Sequence, residues 1–166
     1  MSKAVMISIK PQWCKLITQG KKTVEVRKTR PKIKTPFKCY IYETKGLYRG
    51  SGGCLFQGLG KVIGEFVCDY IYENLSYDSE DTRIPASNLK TYANGRPLFG
   101  WHISDLVIYD KPISLNSFST EGDCNADEKD CKKCSYNGVV QCLYLEEYTH
   151  PIVRPPQSWC YVEVKQ

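Results

Sequence analysis

Apolar and polar residues alternate with a period near two along several short stretches of this chain, and that period belongs to strands. Residues 4–9 alternate well enough to predict a first strand, which Lys10-Pro11 ends. Pro11 suits the first turn of a helix over 11–18, where Trp13, Leu16 and Ile17 fall on one side. Gly20 then serves as that helix's C-terminal cap. The β-branched alternation of 23–27 predicts a second strand and 37–42 a third, with a basic, proline-bearing exposed loop at 29–36 between them. Six glycines in 46–60 read as a mobile loop or a wide hairpin connection. The clearest long alternation is 61–72, and further strands are expected at 99–108 and 158–164. A short helix is expected over 85–93, after a loop at 79–84.

Five or six short strands with two small helices are too little helix for a doubly wound α/β fold. The expectation is α+β: a small mixed β-barrel with two or more short helices and a cysteine-rich, zinc-binding insertion. At 166 residues the chain fits one domain, 1–166, with 119–145 as that insertion. Tyr supplies 12 of the 20 aromatic residues, which strengthens the strand reading.

Charge changes the picture by its placement more than its sum. The net charge is +5, but eight Lys or Arg and a single acid lie between Lys21 and Lys38. A basic lobe fits a polyanionic partner, the alternative being a solvated face that keeps the protein soluble. No apolar run approaches the ~18 residues of a membrane-spanning helix, and the start of the chain lacks the apolar stretch of a secretion signal. A cytoplasmic, reducing setting is therefore expected, with no membrane partner, and clustered cysteines there point to metal more than to disulfides.

Four of the nine cysteines follow the pattern Cys124-x6-Cys131-x2-Cys134-x7-Cys142. The Cys-x2-Cys turn can grip one tetrahedral zinc, and two further thiolates would close the shell, making the site structural. A redox pair at Cys131 and Cys134, or unrelated free thiols, are the alternatives.

On a strand over 23–27, Val24 and Val26 face one way and Glu25 and Arg27 the other, with Lys22 at the strand entrance. A carboxylate beside an Arg can fix the guanidinium so that its fork meets a phosphate or a base edge. A surface ion pair on an exposed strand face is the plainer alternative.

The run Gly20-x-Lys22-x-x-Glu25-x-Arg27, after a strand, a proline-started helix and a capping glycine, resembles the signature opening of the ASCH family, which belongs with the PUA-like barrels. Tyr40-Ile41-Tyr42-Glu43-Thr44, Gly60-Lys61-Val62-Ile63-Gly64-Glu65-Phe66 and Gly100-Trp101-His102-Ile103-Ser104 resemble later strands of that family, in order. The resemblance covers roughly 6–109, with a closing strand at 158–164. It implies a barrel that binds RNA or modified bases. Some short bacterial members remove the acetyl group of acetylated cytidine with a Lys, a Thr three residues later and a downstream Glu. Lys22 matches the Lys, but Glu25 stands at the Thr position, Thr23 lies one place after the Lys, and Glu65, Glu73 and Glu80 match the downstream Glu by region only.

Candidate site residues follow. Lys22 and Glu25 are the candidate catalytic groups. Lys10, Trp13, Lys22, Glu25, Arg27, Thr44, Trp101, His102 and Ser104 are candidate ligand contacts. Trp13 and Trp101 are candidates for stacking on a base, against the alternative of core packing. The resemblance adds that the junction at Ser8–Trp13 borders the cleft in related barrels. The expected function is a module binding RNA, single-stranded nucleic acid or a nucleotide. The alternatives are a small hydrolase of modified nucleosides (an amidohydrolase) or ribonuclease using the same cleft, and a protein–protein interaction module docking through the cysteine loop and the proline-rich stretch 151–156.

Overall fold

The computed structural model describes residues 3–50, 53–121 and 149–163. The alternating segments become strands close to where the pattern puts them. β1 (Lys3–Ile9) runs directly into α1 (Pro11–Thr18), with Pro11 in the first turn. Proline loses nothing there, because the first N–H groups of a helix have no acceptor within it. The helix ends on Gly20, at φ +67°: its N–H donates to Ile17 O at 2.8 Å and the N–H of Lys21 reaches Leu16 O at 2.9 Å. That pair of bonds is the Schellman ending that glycine permits. It delivers the chain into β2 (Val24–Arg27).

The remaining elements are β3 (Phe37–Glu43), β4 (Gly46–Arg49), β5 (Leu55–Gly58), β6 (Lys61–Cys68), β7 (Ile71–Tyr72), α2 (Ala86–Ala93), β8 (Phe99–His102), β9 (Ser104–Ile113), β10 (Ser119–Glu121), β11 (Thr149–Pro151) and β12 (Trp159–Glu163). A five-stranded sheet has the order β12-β1-β3-β6-β9, with β1 and β3 parallel and the other pairs antiparallel. β2, β8 and β7 form a second sheet, and β4-β5 and β10-β11 form two-stranded ones.

The expected small mixed β-barrel is therefore corrected to open sheets. Its physical cause lies in two runs that read as single strands, 61–72 and 99–108. Each changes sheet midway, since β6 stops at Cys68 before β7 begins, and Ile103 separates β8 from β9. At this corner the His102 N–H donates to Tyr70 O at 3.0 Å and the Ile103 N–H to Thr23 O at 2.8 Å. His102 Nδ1 also lies 2.6 Å from Asp69 Oδ1, tying one break to the other. The expected zinc ligands, Cys124, Cys131, Cys134 and Cys142, lie outside the described residues, and among the described residues no group of three or more His, Cys, Asp or Glu is placed to hold a metal.

Burial explains why β1 is so apolar. Val5, Ile7 and Ile9 pack with α1, Ile41, Phe66 and Trp101 on one face of the large sheet. Ala4 and Met6 pack with Tyr40, Val62, Phe118 and Val162 on the other. A third cluster joins Val24 and Val26 of β2 to Leu89 and Ala93 of α2. The glycine-rich segment 46–60 takes its hairpin alternative. Gly58 is required at its base, because a Cβ there would stand 1.8 Å from Thr44 O and 2.8 Å from Pro11 Cγ.

Candidate functional site

With Val24 and Val26 turned to α2, Glu25 and Arg27 point to the opposite face of β2. The antiparallel register with β8 sets Glu25 against Trp101 and Arg27 against Phe99. That face is covered: Lys22, Glu25 and Arg27 are 1%, 3% and 8% exposed, so this is not a solvated surface pair. Arg27 Nη1 donates to Glu25 Oε1 and to Val26 O (2.8 Å), while Nη2 donates to Ser8 O at 2.6 Å. Lys22 Nζ donates to Val24 O at 2.6 Å and Thr82 O at 2.7 Å, and lies 3.3 Å from Glu25 Oε2. Two cations share one carboxylate in a desolvated place. Burial pushes the Lys22 ammonium below its usual pKa, the Glu25 carboxylate works against that, and Arg27 adds to it. The excess positive charge favours an anionic group nearby.

In front of this cluster lies a cleft of about 690 Å³, within the range that holds small ligands. Its floor is Glu25, Val26 and Arg27. The β1–α1 junction contributes Ser8, Ile9, Lys10, Gln12 and Trp13, and the start of the hairpin contributes Thr44 and Tyr48. α2 contributes Asn88, Leu89 and Tyr92, with Ile84 before it, and 155–158 close the remaining side. Among the described side chains six buried nitrogen or oxygen atoms lack a hydrogen-bond partner. Three of them, Gln12 Oε1, Arg27 Nε and Thr44 Oγ1, belong to residues of this cleft, and a fourth, Glu25 Oε2, has only the Lys22 ammonium at 3.3 Å. A buried polar atom left unpaired costs about 1–3 kcal/mol, so their concentration in one place marks it as built for a polar occupant. Cations already flank two aromatic walls: Lys10 Nζ is 5.9 Å from the Tyr48 ring centroid and Lys28 Nζ 4.7 Å from that of Tyr92.

Of the sequence candidates, Lys10, Trp13, Glu25, Arg27 and Thr44 line the cleft. Lys22 stands behind Glu25, 5.7 Å from the Trp13 ring centroid. Trp101 is fully buried in the main core, edge-on to Phe37 at 5.8 Å. His102 sits at the sheet-switching corner with Asp69, and Ser104 Oγ donates to Val67 O at 2.9 Å, both outside the cleft lining. Glu65 is held by Lys38 and Tyr109, and Glu73 pairs with Arg30; neither they nor Glu80 reach the cleft. The four cysteines lie outside the described residues.

Gln12, Tyr48, Asn88, Tyr92 and 155–158 were not among the sequence candidates. Pro155 and Pro156 end the proline-rich stretch 151–156, and there Ser8 Oγ donates to Pro156 O at 2.6 Å and the Ser8 N–H to Ser158 O at 2.9 Å, which holds this end of the stretch against the cleft.

The ASCH domain is a PUA-like fold family of RNA-binding type, and the open mixed sheets of this chain agree with that fold. The ASCH domain model matches residues 7–114, and the chain belongs to the ASCH domain family. The fold is similar to that of ZmASCH from Zymomonas mobilis, at 19% identity and a TM-score of 0.60, with 96% of this chain and 87% of that chain covered. A point mutant of the same protein superposes with a TM-score of 0.60 at 19% identity over 98% of this chain and 91% of that one. No curated protein matches the chain. Among the described residues no helix is long and apolar enough to cross a membrane.

Proposed function

We propose that the cleft binds one nucleotide unit of RNA or of another single-stranded nucleic acid. The observation that carries this reading is the set of unpartnered buried atoms, Gln12 Oε1, Arg27 Nε and Thr44 Oγ1, in a cleft with aromatic walls. One of these atoms accepts, one donates and the hydroxyl does either, which complements a base edge carrying an amino group beside a ring acceptor. Trp13, Tyr48 and Tyr92 supply rings for stacking, and the excess positive charge of Lys22 and Arg27 suits a phosphate.

Fluorescence anisotropy with labelled single-stranded oligonucleotides, competed by mononucleotides, tests this at low salt. Gln12→Ala and Thr44→Val should each weaken binding about 2- to 12-fold, the effect of one lost hydrogen bond of ~0.5–1.5 kcal/mol. Absence of binding to RNA, DNA and nucleotides at low salt would overturn the reading.

One observation favours catalysis as a second reading: burial lowers the pKa of the Lys22 ammonium, the direction a catalytic amine needs. Against it, Lys22 Nζ is committed to two backbone carbonyls and lies behind Glu25 rather than on the cleft wall. Product formation from acetylated nucleosides or RNA, lost in Lys22→Met, would favour the hydrolase.

A further inference from the structure

The floor of the cleft does not end at Arg27. The next residues form the exposed basic loop of the chain, and the structure shows where that loop goes. Lys28 rests against the ring of Tyr92, a cleft wall, at 4.7 Å. Two residues on, Arg30 pairs with Glu73 at 3.2 Å, and Glu73 directly follows β7. The loop thus spans from the cleft mouth to the end of β7. It is also anchored: Trp159 Nε1 donates to Thr29 Oγ1 at 3.0 Å, and the Lys32 N–H donates to the Tyr161 hydroxyl at 2.7 Å. Lys28, Arg30, Lys32 and Lys34 stay exposed on this fixed backbone.

At the far end stand two aromatic rings left partly exposed. Tyr70 and Tyr72 are 56% and 39% exposed, edge to face with centroids 4.9 Å apart. A pair of exposed rings beside a row of exposed cations has the composition of a surface for a single strand, whose bases stack while its phosphates meet charge.

Building on the proposed cleft reading, we infer that the protein holds a single-stranded nucleic acid several nucleotides long. The strand passes from the cleft over the 28–34 loop to a second stacking subsite at Tyr70 and Tyr72. The cleft takes one nucleotide, the cations of the loop meet the following phosphates, and the tyrosine pair takes a base beyond them.

The test compares a mononucleotide with 12-nucleotide single strands of RNA and of DNA, by anisotropy and competition over a salt series. The wild type should bind the oligonucleotide more tightly than the mononucleotide. The Tyr70→Ala/Tyr72→Ala variant should lose about five-fold or more in oligonucleotide affinity, as removal of a stacking ring does, with mononucleotide affinity unchanged. Lys28→Gln/Lys32→Gln/Lys34→Gln should reduce the slope of log affinity against log salt by about 2, since each phosphate contact on a single strand contributes ~0.7. Gln12→Ala should weaken both ligands, which reports on the cleft alone. Equal wild-type affinity for mononucleotide and oligonucleotide, or a tyrosine variant that binds the oligonucleotide normally, would overturn the extended path while leaving the cleft reading intact. Failure of both ligands to bind would overturn the cleft reading itself.

Discussion

Replacing Glu25 by Gln keeps the shape of the side chain and removes the carboxylate that stands between two buried cations. Glu25 is 3% exposed, with Lys22 Nζ at 3.3 Å and Arg27 hydrogen-bonded to its other oxygen. At an effective dielectric constant of ~20, one contact at that distance is worth about 5 kcal/mol before desolvation is counted. Removing one partner of a buried ion pair costs about 3–5 kcal/mol, because the remaining charge is left without compensation. Against a total stability of ~5–15 kcal/mol that is a large share. For a chain of this size each kcal/mol moves Tm by about 2–4 °C, so Glu25→Gln should melt roughly 6–20 °C below the wild type. Adding Lys22→Met to Glu25→Gln should recover part of the loss, since it removes a cation the first change has orphaned. The loss should persist in 0.5 M salt, which screens a surface pair but hardly reaches a buried one. Melting followed by circular dichroism at neutral pH measures all three. A single variant within 2 °C of the wild type, or a loss that disappears in salt, would refute the claim that this cluster is a buried electrostatic unit.

Other expectations concern its surroundings. Gly58→Ala forces a Cβ to within 1.8 Å of Thr44 O, so the hairpin must shift; a loss of about 1–3 kcal/mol and faster proteolysis at 46–58 are expected, and an unchanged digestion pattern would count against it. Trp101→Phe should lower Tm and leave oligonucleotide affinity unchanged, because Trp101 is 0% exposed and packs in the core; an affinity loss in the folded variant would place it at the ligand instead. Burial raises the Glu65 carboxyl, but hydrogen bonds from Lys38 and Tyr109 outweigh it and hold its pKa below the ordinary 4.5. Its stabilising contribution is therefore present above pH 4.5 and lost as pH falls through the folded value. The melting curves of wild type and Glu65→Gln should differ at pH 7 and converge on acidification, and a constant gap down to pH 3 would contradict this.

What the sequence made legible follows from how local each determinant is. α1 is marked by Pro11 and Gly20, two residues whose backbone preferences act within a few positions, and its observed span matches the expected one. The runs at 61–72 and 99–108 misled because a strand that changes sheet keeps its period of two. The interruption shows only in long-range bonds such as Ile103 to Thr23. The same limit applies to the cleft. Lys10, Trp13, Glu25 and Arg27 cluster within one strand–helix–strand unit, so their neighbourhood could be read in order along the chain. Tyr92 and Asn88 reach the cleft only because Leu89 and Ala93 pack α2 onto Val24 and Val26. Pro156 reaches it through a bond to Ser8 across 148 residues. Trp101 illustrates the converse, since its residue type is equally suited to stacking on a base and to filling a core. The cysteine spacing at 124–142 stands on sequence alone.

The most direct test of the cleft reading leaves the protein unmutated. Ultraviolet crosslinking of the wild-type chain to a single-stranded RNA 12-mer, with the adducts mapped by mass spectrometry, reports which aromatic residues touch a base. Adducts are expected at Trp13, Tyr48 or Tyr92, around the Glu25–Arg27 floor. Adducts confined to surfaces away from the cleft, or none under conditions where the RNA is bound, would contradict it.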